Sequence, residues 1–189
     1  MILIIDNYDS FTYNIVQYAG NFCQNIVVRK NDNLNLDEID ISKFSHIIIS
    51  PGPGGPSDSG ISNIVIKKFF DKIPILGICL GHQVIGELFG CQIANAENIM
   101  HGKVSKIEQN EQSILFSGVP KYFNATRYHS LVVDRPVKNN ELIVNAWLSD
   151  GTVMGIEHAN ALLYGVQFHP ESIETEYGKE IIGNFLNIV

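Results

Sequence analysis

The stretch Ile73-Pro-Ile-Leu-Gly-Ile-Cys79-Leu-Gly-His-Gln83 limits what this chain can fold into more than any other. Ile73 to Ile78 is apolar, interrupted only by Pro74 and Gly77, and reads as a buried strand. Helical spacing follows at once in Val84-Ile-Gly-Glu-Leu-Phe89. A strand that turns this sharply into a helix lifts the turn residue above the sheet edge. Glycines belong on such a turn because a side chain there would clash. Here the turn residue is Cys79, flanked by Gly77 and Gly81. It stands at a helix N-terminus, where free N–H groups and the positive dipole end favour a thiolate. This arrangement places a nucleophile on an open α/β sheet. The plainer alternative is a buried structural cysteine before a packed glycine turn.

The rest of the chain supplies a matching frame. Ile2–Ile5 and His46–Ser50 are short apolar runs, as expected of parallel strands buried on both faces. Asn25–Arg29 is a further strand. Phe11, Ile15, Tyr18, Ala19 and Phe22 repeat at helical spacing, with Asp9 or Ser10 able to cap that helix. Ile61, Ile64, Val65, Lys68 and Phe69 mark a second amphipathic helix, and Gly90 ends the helix after Cys79. Asn31–Ser42 is polar and irregular, with one helical turn expected near Asp37. After Cys91 the pattern changes. Gln92–His169 alternates and carries turn signals, and Asp150-Gly151 predicts a two-residue hairpin. Ala161–Phe168 reads as a strand. Glu176–Ile188 closes the chain as a helix with Ile181, Ile182, Phe185 and Ile188 facing inward. The expected architecture is one α/β domain over residues 1–189. Its open, mostly parallel sheet is flanked by helices and has antiparallel strands in the C-terminal half. Ligands of such sheets bind at the C-terminal strand ends, where Asp6–Ser10, Ser50–Gly55 and Cys79 all fall.

Composition narrows the chemistry. With 189 residues, 45% of them hydrophobic and 17% charged, the chain can bury a sizeable core and is not disordered. A net charge of −7 without a basic run argues against a nucleic-acid partner. Three cysteines without CxxC spacing indicate neither a disulfide framework nor a zinc finger, and a reducing compartment fits. The apolar N-terminus is too short for a signal peptide, and no run approaches a membrane span. The expectation is a soluble protein of the cytoplasm, or of an organelle stroma.

A cysteine nucleophile needs a base, and the base needs a group to orient it. Of six histidines, His169 stands out, in Gly165-Val-Gln-Phe-His169-Pro-Glu171. Pro170 favours extended chain at His169, and in extended chain residues i and i+2 share a face. The Glu171 carboxylate can then hold one ring nitrogen while the other faces the thiol, which reproduces the roles of a serine-protease triad. A surface His-Pro-Glu turn is the alternative. Metal chemistry is the rival. H-x-E is half of the zinc deaminase signature, but no P-C-x-x-C follows, and H-E-x-x-H is absent. Pro51-Gly-Pro-Gly-Gly55 can offer backbone N–H groups to an oxyanion, and it lacks the order of a phosphate loop. Gln83, in the first turn after Cys79, can reach a polar substrate, or it and His82 can be exposed helix residues. Cys23 and Cys91 read as small packed hydrophobes.

Taken together, Gly77-Ile-Cys79-Leu-Gly-His-Gln83, Gln167-Phe-His169-Pro-Glu171 and Ser50-Pro-Gly-Pro-Gly54 resemble the triad-type class I glutamine amidotransferases. Asp6-Asn-Tyr-Asp-Ser-Phe-Thr12, His101-Gly-Lys103 and Arg127-Tyr-His-Ser-Leu131 narrow the resemblance. They are similar to the small subunits of anthranilate synthase (tryptophan biosynthesis) and aminodeoxychorismate synthase (folate biosynthesis). The resemblance runs from Met1 to Val189, with no departure at the triad. It implies Cys79 as nucleophile, His169 as general base and acid, and Glu171 as its orienter. It also implies an oxyanion hole from the Gly52 and Leu80 N–H groups, in a loop continuing through Pro53 and Gly54. Glutamine would be held by Gln83 and the Ser130-Leu131 backbone. The implied reaction is hydrolysis of L-glutamine through a cysteine thioester, without metal or organic cofactor. Its ammonia would go to a separate chorismate-binding synthase subunit. A stand-alone amide or γ-glutamyl hydrolase would share the triad.

Overall fold

The computed structural model describes residues 1–32, 40–96, 100–137 and 141–188. The helical turn expected near Asp37 lies outside them. Along the chain run β1 (Ile2–Asp6), α1 (Thr12–Ala19), β2 (Ile26–Lys30), β3 (His46–Ile49), α2 (Ser62–Phe69), β4 (Ile75–Ile78) and α3 (Leu80–Leu88). Then come β5 (Ile93–Asn95), β6 (Lys103–Gln109), β7 (Tyr122–Arg127), β8 (Leu131–Val133), β9 (Leu142–Trp147), β10 (Val153–His158), β11 (Leu163–Val166) and α4 (Gly178–Leu186). Nine strands form one sheet in the order β2-β1-β3-β4-β11-β10-β9-β6-β7, and β5 and β8 form a small antiparallel pair. From β2 to β11 the neighbours are parallel, and from β11 to β7 they are antiparallel. Among the described residues, no helix is long and apolar enough to cross a membrane.

The continuous apolar runs are explained by burial on both faces. In β1, Ile2 and Ile4 pack on the side of Ile15 and Ala19 of α1 and Ile181 and Phe185 of α4. Leu3 and Ile5 pack on the opposite side, with Val65 and Phe69 of α2 and Val84 and Ile85 of α3. Side chains alternate along a strand, so in a strand covered twice polar residues are left to its ends, as with Asp6 of β1 and His46 of β3. The same rule splits β3, with Ile48 on one face and Ile47 and Ile49 on the other.

Two local expectations change. The 148–152 hairpin has a three-residue loop rather than two. The Gly151 N–H donates to the Leu148 carbonyl, the Leu148 N–H donates to the Thr152 carbonyl, and Gly151 has φ +88°. This is a turn followed by a left-handed glycine, the usual way to close three residues. Helix α1 starts one residue after Phe11, which carries no side-chain cap. Asp9 instead accepts from the Phe11 N–H at 2.8 Å, holding the turn before the helix. The terminal helix keeps its inward face: Ile181, Ile182, Phe185 and Ile188 are all buried.

Because β1, β3, β4 and β11 are parallel neighbours, their C-terminal ends lie along one edge. The loops after them carry Asn7, Ser50–Gly55, Cys79 and His169. That edge is where the chemistry collects.

Candidate active site

Cys79 sits between β4 and α3 with φ 52° and ψ −97°. A side chain in this region is strained by about 1–3 kcal/mol, a cost borne only where the surroundings impose it. Here they do. The Cys79 N–H is held by the Val166 carbonyl of β11 at 2.8 Å. A Cβ on Gly77 would lie 2.5 Å from the Gly81 backbone, and one on Gly81 would lie 2.7 Å from the Ile49 carbonyl. Neither position has room for anything but glycine, so the turn closes tightly and the cysteine is forced up at its apex. Cys79 is 7% exposed.

His169 and Glu171 are 2% and 1% exposed, with Nδ1 and Oε1 2.7 Å apart. The pairing is the expected one, but the backbone that makes it is not. The Ser172 N–H donates to the His169 carbonyl at 3.2 Å, closing a turn over 169–172. Pro170 therefore occupies the second turn position, which its fixed φ favours, and the turn rather than extended chain swings the carboxylate onto the ring. Thr175 Oγ1 donates to the same carbonyl at 2.7 Å, and Gly178, first in α4, lies so close to the Pro170 carbonyl that a Cβ has no room. His169 Nε2 is buried without a hydrogen bond to oxygen or nitrogen. Burial alone pushes the imidazole pKa down. The Glu171 carboxylate, then the Cys79 sulfur, outweigh it and hold the pKa well above its usual value.

The loop after β3 comes to the same place. A Cβ on Gly52 would meet Asn7 at 2.6 Å and the Leu80 side chain at 2.9 Å, so residue 52 is wedged between the loop after β1 and the start of α3. Asn7 anchors the loop twice: its N–H donates to Ser50 Oγ at 2.9 Å and its side-chain nitrogen donates to the Ser50 carbonyl at 2.8 Å. Gly54 has φ +77°, and the Asp58 carboxylate fills the space its side chain would need while accepting from the Gly55 N–H at 2.9 Å. Pro53 and Gly54 are exposed. Leu80 opens α3, where an N–H has no intrahelical acceptor. Among the described residues, neither the Gly52 nor the Leu80 N–H has a hydrogen-bond acceptor. Two free backbone donors beside a cysteine are the raw material of an oxyanion hole.

Gly55 faces Leu131, whose side chain would lie 3.2 Å from a Cβ there, so the Ser130-Leu131 segment joins the site. Gln83 is buried, not an exposed helix residue. Its side-chain nitrogen donates to the Leu131 carbonyl at 3.1 Å and to Gln167 Oε1 at 3.2 Å. His82 is also buried, turned against Gly165 of β11, and burial drives its pKa down to about 3. His129 is pushed to about 4, by burial and then by the Arg127 charge; its Nδ1 donates to the Leu131 carbonyl at 3.0 Å. Tyr128 stands edge-on to His169, with ring centroids 5.0 Å apart, and is flanked by Phe11 at 5.4 Å and His101 at 6.1 Å. Sequence reasoning assigned no task to Gln167, Tyr128 or the Asn7 anchor. They sit inside the quoted motifs, and the contacts that distinguish them span 27 to 117 positions of chain.

A strained cysteine at a strand–helix turn, a buried His–Glu pair and free backbone donors define a cysteine-dependent enzyme of acyl transfer on an α/β sheet. The model of the family "Glutamine amidotransferase class-I" matches residues 3–189. The chain is 50% identical over 188 residues to anthranilate synthase component 2 of Cyanophora paradoxa, covering 99% of this chain and 98% of that one. It is 48% identical over 186 residues to aminodeoxychorismate/anthranilate synthase component 2 of Bacillus subtilis (strain 168), covering 98% and 95%. With the bifunctional protein TrpGD of Thermotoga maritima it shares 52% over 190 residues, which is 99% of this chain but 32% of that longer one. This chain belongs to the class-I glutamine amidotransferases.

Proposed function

We propose that the chain hydrolyses L-glutamine at Cys79 and delivers the ammonia to the chorismate-binding subunit of anthranilate synthase. The observation that carries the chemistry is the buried His169–Glu171 pair at 2.7 Å beside the strained Cys79. His169 takes the thiol proton as the Cys79 sulfur attacks the side-chain amide carbon of glutamine. The oxyanion that forms takes hydrogen bonds from the Gly52 and Leu80 N–H groups. The C–N bond then breaks, His169 returns the proton to the leaving ammonia, and a glutamyl thioester remains. Water attacks the thioester, giving its proton to His169, and glutamate leaves as the sulfur recovers a proton. Glu171 keeps the ring oriented and stabilises the imidazolium. Cys79 is the nucleophile of the first step, water that of the second, and His169 carries the proton in both, so this route calls on no metal or organic cofactor. Ser130 and Leu131 hold the glutamine through their backbone, and Gln83, with both amide hydrogens engaged, offers it only an oxygen.

The partner assignment rests on relatives named as anthranilate synthase component 2 and on the shape of the rim. Tyr128 packs against Phe11, His101 and His169, and Ile173, two residues after Glu171, is 92% exposed. The Bacillus subtilis relative bears both synthase names, which favours a second reading: one subunit serving the aminodeoxychorismate partner as well. A glutamine-like electrophile tests the chemistry. It is expected to label one cysteine per chain, and peptide mapping should find the label on Cys79. Label on Cys23 or Cys91 would refute the assignment. Co-purification with each synthase subunit, followed by identification of the product from chorismate and glutamine, decides between the partners.

A further inference from the structure

Gln167 is fully buried, two residues before His169, and its side-chain nitrogen lies 3.6 Å from Cys79 Sγ. An amide nitrogen and oxygen look alike in outline, and which one faces a neighbour must be settled by the hydrogen-bond network. Here a backbone atom settles it. The Leu131 carbonyl can only accept, so the Gln83 group 3.1 Å away must be the NH2. The other hydrogen of that NH2 meets Gln167 at 3.2 Å, so Gln167 must present its oxygen there. Its own NH2 is then left for the sulfur. Reversing Gln167 would set two NH2 groups against each other and an oxygen lone pair against the sulfur. Reversing Gln83 would set two oxygens together. The polarity of the whole chain of amides is fixed at Leu131 and ends on Cys79.

We infer that Gln167 is a positioning residue for the nucleophile: oriented through Gln83 by the Leu131 carbonyl, it donates a hydrogen bond to the Cys79 sulfur and stabilises its anionic form. This rests on the reading of Cys79 as the nucleophile. A donor aimed at a developing anion in a buried site counts for more than the same donor in water. The bond also limits rotation of the Cys79 side chain, keeping the sulfur beside His169. The carbonyl that sets the amide chain belongs to the segment placed around the glutamine. The same arrangement therefore joins the substrate-holding backbone to the reacting atom.

The test follows alkylation of Cys79 by iodoacetamide against pH in the full chain, read by peptide mapping so that Cys23 and Cys91 do not contribute. Gln167→Met keeps the length of the side chain and removes the donor. Its alkylation midpoint is expected to rise by about one pH unit, with kcat for glutamate release falling more than KM changes. Gln83→Met leaves Gln167 in place without the partner that orients it, and a smaller rise is expected. A merely structural role would leave the midpoint where it is. An unchanged midpoint in Gln167→Met with wild-type resistance to urea overturns the inference. Should that variant fail to fold, an unchanged midpoint in Gln83→Met overturns it on the same ground. A wild-type Cys79 no more reactive than Cys23 or Cys91 would instead overturn the nucleophile reading, and this inference with it.

Discussion

In the proposed route His169 moves a proton, whereas Glu171 only holds the ring that moves it, so the two residues should contribute unequally although they are equally buried. His169→Ala is expected to lower glutamate release on the order of 10²–10⁴-fold, the usual worth of a general acid–base. Glu171→Ala should cost less, because the imidazole that carries the proton is still present. Steady-state kinetics of the two variants decide the matter, and a larger loss at Glu171 contradicts the roles given. At this scale the sequence was a good guide to identity and a poorer guide to cause. His169 and Glu171 were legible as a pair, but extended chain was the wrong reason. Pro170 acts through the turn it begins, and a turn depends on the Ser172 N–H that closes it.

Among the elements, α3 and the β7–β8 connection each bury a histidine that is neutral near pH 7. His82 is driven to about 3 and His129 to about 4, from an ordinary 6.5. Both pKa values are lower folded than unfolded. Below about pH 6.5 the unfolded chain therefore binds more protons, and stability falls as pH falls. The contribution is full above about pH 6.5 and is lost toward pH 4, at about 1.4 kcal/mol per pH unit for each histidine. His169 acts in the other window: its pKa is raised, so its share is full below about 6.5 and lost above. Urea midpoints at pH 7 and pH 5 should differ accordingly, and His82→Leu should shrink the difference. An unchanged difference in His82→Leu would show that His82 is not buried neutral. In sequence, His82 sat in the first turn of a helix and could equally have faced solvent. Only the packing of α3 on Gly165 decides that it does not.

At the scale of the molecule, glutamine hydrolysis should be coupled to the synthase. Ammonia released into neutral water becomes mostly ammonium, which is no nucleophile, so a supplying subunit gains by working only when its product has a sheltered path. The rim formed by Phe11, Tyr128 and His101 stands over His169, where a docked partner can cover the site and set the Gly52 and Leu80 donors. Basal glutamate release is expected to be weak. Adding the chorismate-bound synthase subunit should raise it more than tenfold, at least ~1.4 kcal/mol off the barrier. Equal rates with and without the partner would refute the coupling and favour a stand-alone hydrolase.

Local signals by themselves determined the parallel half of the sheet, the glycine turn at Cys79 and the inward face of α4. Each depends on residues close in the chain: a run buried on both faces, a Cβ that cannot fit, a helical period. Motifs of the same short range named Cys79, His169, Glu171 and the Gly52 loop, the residues that meet at this edge of the sheet. Tertiary structure alone decided how they meet. Gly52 lies between Asn7 and Leu80, Leu131 orients an amide chain ending at Cys79, and Tyr128 draws two distant loops over His169. These contacts join strand ends that the order β2-β1-β3-β4-β11 brings to one edge. Pairing of strands far apart in sequence leaves no periodicity in any one of them, so those contacts exist only once the sheet has closed.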